Sequence, residues 1–325
     1  MAKPQKARGH PGFFVEVHGH RMYYQCAGHG SPTVVLEAGL GGDHLSWSAV
    51  APALARTTRT CSYDRAGVGL SPRDSGHRTS GEQVTDLHDL LVVAGEEPPY
   101  VVVGHSYGGL LAHEFATAYG KDVAGVVLID SSHPAMIRRF LAALGPPRRG
   151  ESRIRRELRS FLRQEPRNTE GLDLPASLAE ARRAGSIGDK PLAVITAGVE
   201  NDPSLPPALR RLLDRTWMSL QDDLARLSTD SVHVIAVYSR HDVIAFSGQP
   251  DLVAEAVAAV VHAATYETCD CAPDPAHAWK LARTIRTFVD KPPGAFADWE
   301  RQIVTTDFVA DSEIIASVTP LGAMR

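Results

Sequence analysis

Cysteine is scarce in this chain: only Cys26, Cys61, Cys269 and Cys271 occur among 325 residues. Four cysteines are too few for the disulfide scaffold that small secreted domains use in place of a core. Cys269-Asp270-Cys271 has no second pair at zinc-site spacing, so it reads as two loop thiols and no metal site is expected. No apolar run approaches the roughly 18 residues of a membrane span. The first ten residues are basic but lack the apolar core of a secretory leader, and the expected location is the cytoplasm. Neither sign of charge dominates: 34 Lys and Arg stand against 38 Asp and Glu, a formal net charge of −4. That balance points to no nucleic-acid partner and no membrane partner. H-E-x-x-H, a P-loop and G-x-G-x-x-G after a strand are all missing, and no cofactor is expected.

What is present is a chain 43% hydrophobic, enough for a large core. Its most informative stretch is Tyr100 to Ala116. Tyr100–Val103 is a β-branched apolar run that reads as a buried strand, and Leu110–Ala116 reads as a helix with Leu110, Leu111, Phe115 and Ala116 inward. Gly104-His105-Ser106-Tyr107-Gly108 between them matches G-x-S-x-G. A sharp strand-to-helix turn of this kind strains the serine backbone and exposes its hydroxyl. The glycines are required because a side chain would collide with the turn or the neighbouring strands.

Around it, apolar strands alternate with periodic helices. Residues 13–26 suggest a hairpin turning at His18-Gly19-His20. Strands follow at 32–38, 59–63, 123–129, 191–196 and 232–237, with helices near 47–54, 81–94, 205–227, 250–264 and 274–289. Unbroken apolar strands separated by helices imply an α/β fold, a mostly parallel sheet covered on both faces, with its chemistry at the carboxyl ends of the strands. Ser106 and Asp130 both stand at such ends. Residues 135–189 break the pattern with twelve arginines and two or three amphipathic helices, read as a helical cap inserted into a core of 1–134 and 190–290. The arginines either attract an anionic substrate or form a solvated face. Residues 291–325 form a C-terminal extension whose Trp299, Ile303, Val304 and Phe308 need something to pack on, which leaves a homodimer conceivable.

Over roughly residues 13–290 the chain resembles the α/β-hydrolase superfamily. The resemblance is carried by Glu-Ala-Gly-Leu-Gly-Gly at 37–42, Tyr-Asp-Arg-Ala-Gly-Val-Gly-Leu-Ser at 63–71 and Gly-His-Ser-Tyr-Gly-Gly at 104–109. Trp217, Gln221, Leu224, Leu227-Ser228, Ser239-Arg240-His241 and Gln249-Pro250 look like one bacterial branch of it. The resemblance implies Ser106 as nucleophile and, since a serine hydroxyl is weak at neutral pH, a partner base. His241 ends the last strand and falls in the family's position; His133, His262 and His277 do not. The acid is either Asp130, after the strand 123–129, or Asp202, after the strand 191–196. The Asp-Ser-Ser-His-Pro sequence at 130–134 favours Asp130. The order serine, acid, histidine fits both. The oxyanion hole is expected from the backbone N–H groups of Leu40 and Tyr107. Gly39, Gly41, His105 and Arg240 are expected at the substrate. Arg240 stands where the family usually has glycine; it either reads a substrate carboxylate or points to solvent. Asp64 and Arg65 are expected to pair structurally below the site.

The activity implied is a serine hydrolase cleaving an ester, lactone or amide of a small molecule. A serine nucleophile argues against the epoxide hydrolase and dehalogenase chemistry that uses a carboxylate. The alternative is a protein that keeps the triad but works as a lyase, a cyclase or a ligand-binding module in a biosynthetic pathway.

Overall fold

The computed structural model describes residues 4–73, 76, 78–164, 170–198, 204–245 and 248–267, and one further short strand, 318–319. Ten strands form one sheet: β1 (Gln5–Lys6), β2 (Phe13–Val17), β3 (His20–Ala27), β4 (Thr33–Glu37), β5 (Thr60–Tyr63), β6 (Tyr100–His105), β7 (Val123–Ile129), β8 (Leu192–Ala197), β9 (Ser231–Ala236) and β10 (Val318–Thr319). Their spatial order is β1-β2-β3-β5-β4-β6-β7-β8-β9-β10. The run from β5 to β9 is parallel, and the amino-terminal strands and β10 join it antiparallel. The expected hairpin is β2–β3. Val17 pairs with His20 across it, and His18 and Gly19 both take positive φ (50° and 82°). That is the two-residue turn whose twist matches the strands.

Eight helices occur among the described residues: α1 (Ala51–Leu54), α2 (Ser80–Ala94), α3 (Tyr107–Ala118), α4 (Met136–Leu144), α5 (Arg153–Phe161), α6 (Leu174–Ala181), α7 (Pro207–Ala225) and α8 (Pro250–Glu267). The parallel strands are buried on both faces, and their side chains divide by the period-two rule. Val34, Leu36, Val101 and Val103 enter one apolar core with α1 and α8. Val35, Val102, Val126 and Leu128 enter the opposite core with α2 and α3. Each such side chain contributes about 1.5–3 kcal/mol by leaving water. Helix α2 opens on a reciprocal cap between Thr79 and Glu82 and ends at Gly95 with φ 77°.

The segment between β7 and β8 supplies α4, α5 and α6, the helices expected for the inserted region. Several of its arginines are engaged within the fold: Arg159 is buried and bound to Glu151 and the Gly145 carbonyl, and Arg139 meets Asp223 of α7. Others, such as Arg148, Arg149, Arg156 and Arg163, are exposed.

Cys26 and Cys61 face each other in register on β3 and β5 and are joined by a disulfide. One bond is no scaffold, but disulfides persist chiefly in oxidising compartments. The disulfide therefore gives the expected cytoplasmic location no support. Among the described residues no helix is long and apolar enough to cross a membrane. The expected helix at 274–289, the Cys269–Cys271 pair and all of the 291–325 extension except β10 lie outside the described residues.

Candidate active site

Strand β4 has β5 on one side and β6 on the other, so the chain reverses its direction of growth there. In parallel sheets this opens a crevice beyond the carboxyl ends of the strands. Glu37 of β4 pairs with Gly104 of β6, which sets the loop after Glu37 beside the turn after His105. Ser106 sits in that turn with φ 55° and ψ −119°, and its carbonyl accepts from the N–H groups of Gly109 (3.0 Å) and Ser132 (2.8 Å). A non-glycine residue so held costs of order 1–3 kcal/mol. It persists because the surroundings are packed tight: a Cβ on Gly104 would strike the Gly108 carbonyl, and one on Gly108 would strike the Glu37 carbonyl. Tyr107 begins α3, so its N–H belongs to the unpaired first turn of that helix.

The imidazole of His241 reaches the serine. Its Nε2 is 2.9 Å from Ser106 Oγ and its Nδ1 is 2.6 Å from Asp130 Oδ2. Asp130 is fully buried and also takes a positive φ of 41°. Its second oxygen, Oδ1, accepts from Trp217 Nε1–H (2.7 Å) and from the Ala197 N–H (3.2 Å). The structure thus brings Ser106, His241 and Asp130 together, while Asp202, the other acid considered, lies outside the described residues.

His105 Nε2 bonds the His241 carbonyl at 2.7 Å, and the two rings are 4.8 Å apart. Burial first, and then the neighbouring His241, push the His105 pKa down to about 4. It is therefore neutral at physiological pH, so Nε2 carries the proton donated to that carbonyl. Leu40 is about one-third exposed (36%), on the loop bounded by Gly39 and Gly41. Arg240 is exposed beside His241.

The expected Asp64–Arg65 pair does not form. Asp64 Oδ1 accepts from both the N–H and Nδ1 of His44 at 2.7 Å, and Oδ2 accepts from Leu70 N–H at 2.8 Å. Adjacent residues leaving a strand point to opposite sides, and Arg65 turns instead toward the loop after β4. Its guanidinium is buried and forks onto Glu170, with Nε 2.7 Å from Oε2 and NH2 2.8 Å from Oε1. It also meets Glu37 and donates to the carbonyls of Ala38 (2.7 Å) and Gly39 (2.6 Å). Burial raises the Glu37 carboxyl above its usual range, against the pull of Arg65. Burial would also raise Glu170, but Arg65 and the bonds from Gly41 and Gln83 outweigh it and hold that carboxyl low. Of the two buried carboxylates around this guanidinium, Glu170 is thus the one whose charged form is favoured, and Glu37 the one in which burial opposes it.

Trp217 and Glu170 escaped the sequence. Trp217 enters the sequence reading as a mark of the resemblance, and its indole N–H on Asp130 is set by the fold. The resemblance names Gln221 beside it, and that side chain, one turn on, is fully buried and donates to the Ser131 carbonyl. Glu170 gave no signal within its arginine-rich segment between β7 and β8.

A family model described as the alpha/beta hydrolase fold matches residues 32–162, which hold β4 through α5. YqjL of Bacillus subtilis strain 168, an uncharacterized protein, is 28% identical over 212 residues, 65% of this chain and 77% of its own length. A RutD protein of Azorhizobium caulinodans, named for carbamate hydrolysis, is 36% identical over 109 residues; the match spans 34% of this chain and 40% of that protein. A thermophilic esterase from Thermogutta terrifontis superposes with a TM-score of 0.52 at 21% identity, covering 78% of this chain and 98% of the esterase. The matched family model, the sheet order and the turn that carries Ser106 together show the α/β-hydrolase fold.

Proposed function

We propose that the protein is a cofactor-independent serine hydrolase that cleaves an ester, lactone or amide of a small molecule through an acyl-enzyme on Ser106. The observation that carries this is His241 bridging Ser106 Oγ at 2.9 Å and the buried Asp130 at 2.6 Å. With Nδ1–H donated to Asp130, the Nε2 lone pair faces the serine hydroxyl. Nε2 takes the hydroxyl proton as Oγ attacks the carbonyl carbon, and Asp130 stabilises the resulting imidazolium. A base so placed contributes typically 10²–10⁴-fold. The oxyanion receives the N–H groups of Leu40 and Tyr107, each on the order of 3 kcal/mol in comparable enzymes. The tetrahedral adduct collapses, the imidazolium gives its proton to the departing alcohol or amine, and a water activated by the same base releases the acid.

Residues 135–189 serve as a cap that sets substrate choice. Support comes from α4, whose Phe140 stacks on Trp217 with ring centroids 6.3 Å apart, and from Glu170, which reaches the loop carrying Leu40. The relatives' names, an esterase and a carbamate hydrolase, agree with acyl transfer to water. The test is labelling with a fluorophosphonate probe alongside hydrolysis of p-nitrophenyl acetate. Wild type is expected to label and turn over, and Ser106→Ala to do neither. Wild type that stays unlabelled and behaves like Ser106→Ala overturns the proposal in favour of a lyase, cyclase or ligand-binding role.

A further inference from the structure

We propose that Glu170, from the inserted helical segment, is the positioning residue that aims the Leu40 N–H into the oxyanion hole, acting with Arg65 on the two peptide planes that flank Leu40. The proposal rests on the serine-hydrolase assignment above.

The argument starts from peptide geometry. The Leu40 N–H and the Gly39 C=O belong to one planar trans unit and point in opposite directions. Whatever holds the Gly39 carbonyl therefore aims the Leu40 N–H. Arg65 NH2 donates to that carbonyl at 2.6 Å. The next plane carries the Leu40 C=O and the Gly41 N–H, and Gly41 N–H donates to Glu170 Oε1 at 2.6 Å. Glu170 and Arg65 are themselves joined by two parallel bonds, which fix orientation as well as distance. Gln83 of α2 donates to Glu170 Oε2 at 3.1 Å. The carboxylate is thus held from the sheet side and the helix side and applied to a single N–H.

The loop needs such a device. Gly39, Gly41 and Gly42 lie around Leu40, and Gly41 has φ 73°. A loop so rich in glycine has many accessible conformers, and an oxyanion donor stabilises a transition state only if it is already aimed. Glu37 cannot replace Glu170: it also meets Arg65, but no bond joins it to the Gly41 N–H among the described residues. Glu170 is remote in sequence from both, by 105 residues from Arg65 and 129 from Gly41. The inserted segment is thereby a structural part of the catalytic apparatus as well as a cover.

The test compares wild type, Glu170→Gln and Glu170→Ala on p-nitrophenyl acetate, at a temperature well below each variant's melting point. It adds the affinity of phenylboronic acid, which forms a tetrahedral adduct with the serine, and amide hydrogen exchange of residues 38–44. For Glu170→Ala, kcat is expected to fall about 10–100-fold with KM within about threefold, because a donor misplaced by about 1 Å costs up to 10² in rate. Boronate affinity should fall in parallel and exchange at 38–44 should quicken. Glu170→Gln keeps an acceptor for Gly41 and should recover part of kcat. If Glu170→Ala fails to fold, the glutamine variant carries the same kcat-against-KM comparison, with a smaller loss expected. A variant with unchanged kcat and unchanged exchange, or with kcat and KM altered together at unchanged boronate affinity, overturns the positioning role while wild-type labelling stands. Wild type that neither labels nor turns over overturns the serine-hydrolase assignment itself, and the positioning role with it.

Discussion

Asp130 carries the burden of the site at the scale of single residues. It is fully buried and accepts from three donors: the indole N–H of Trp217, the Ala197 N–H and the imidazole of His241. Replacing it by asparagine leaves the shape but favours the wrong imidazole tautomer. Asp130→Asn is therefore expected to lower kcat about 10³–10⁴-fold on an ester substrate, with Asp202→Asn close to wild type. Equal losses in both would refute the assignment of the acid. Trp217→Phe removes one donor without opening a large cavity. A bond to a charged group is worth about 1.5–3 kcal/mol, so kcat/KM should fall roughly 10–100-fold. The melting temperature, measured alongside, separates this loss from a packing defect. His105, neutral above about pH 5 with its pKa near 4, adds no limb to the pH–rate profile over that range.

Among the elements, the contact of α2, α3 and α6 holds a titrating carboxyl. Glu114 of α3 is pushed up to about 7, first by burial and then by the charge of Glu180, although the Ser80 hydroxyl donates to it at 2.9 Å. Its ordinary value is 4.5, so between about pH 4.5 and 7 the folded chain binds the proton that the unfolded chain releases. Stability from this group is complete below about 4.5 and is lost as pH rises to about 7. Glu114→Gln mimics the protonated form. Its melting temperature should vary less than that of wild type over pH 5–8 and exceed it at pH 8, by about 1–3 kcal/mol in unfolding free energy. Scanning calorimetry across that range decides; a variant that tracks wild type at every pH would remove Glu114 from the account. The strand-to-helix turn is stricter. Gly108→Ala drives a methyl into the β4 backbone, where no side chain can swing away. A loss of at least 1–3 kcal/mol is expected in urea denaturation, together with loss of probe labelling.

Across the whole molecule, one sheet joins parts far apart in sequence. The disulfide between Cys26 and Cys61 ties the antiparallel amino-terminal strands to the parallel sheet across a separation of 35 residues. Closing a loop of that length removes unfolded-chain entropy worth about 3–4 kcal/mol. Reduction with a phosphine, or Cys61→Ser, should lower the melting temperature by roughly 5–10 °C. Mass spectrometry of the alkylated protein should find the pair blocked before reduction and free after it. An unchanged melting temperature would mean that the bond contributes nothing to the solution fold. The segment between β7 and β8 belongs to this scale as well, since Phe140 reaches the neighbourhood of Asp130 through Trp217, and Glu170 reaches the loop after β4.

The sequence by itself determined whatever depends on neighbours along the chain. The alternation of apolar runs and periodic helices specified a covered parallel sheet, because strand and helix periods differ and each writes its own pattern. The turn at Ser106 was legible because strand, glycines, serine and helix lie within seventeen residues, 100–116. Asp130 was one of two acids the chain order allowed, and His241 one of several histidines. Only the tertiary structure decided which side chains meet across 135 residues from Ser106 to His241 and 111 from Asp130 to His241. It also decided that Asp64 turns to His44 while Arg65 turns to Glu170, that Trp217 gives its N–H to Asp130, and that Cys26 meets Cys61. None of these partners shares a local period. Each pairing is fixed by strand register and by burial, which leave a charged or polar group only the partners that the packed sheet brings within reach.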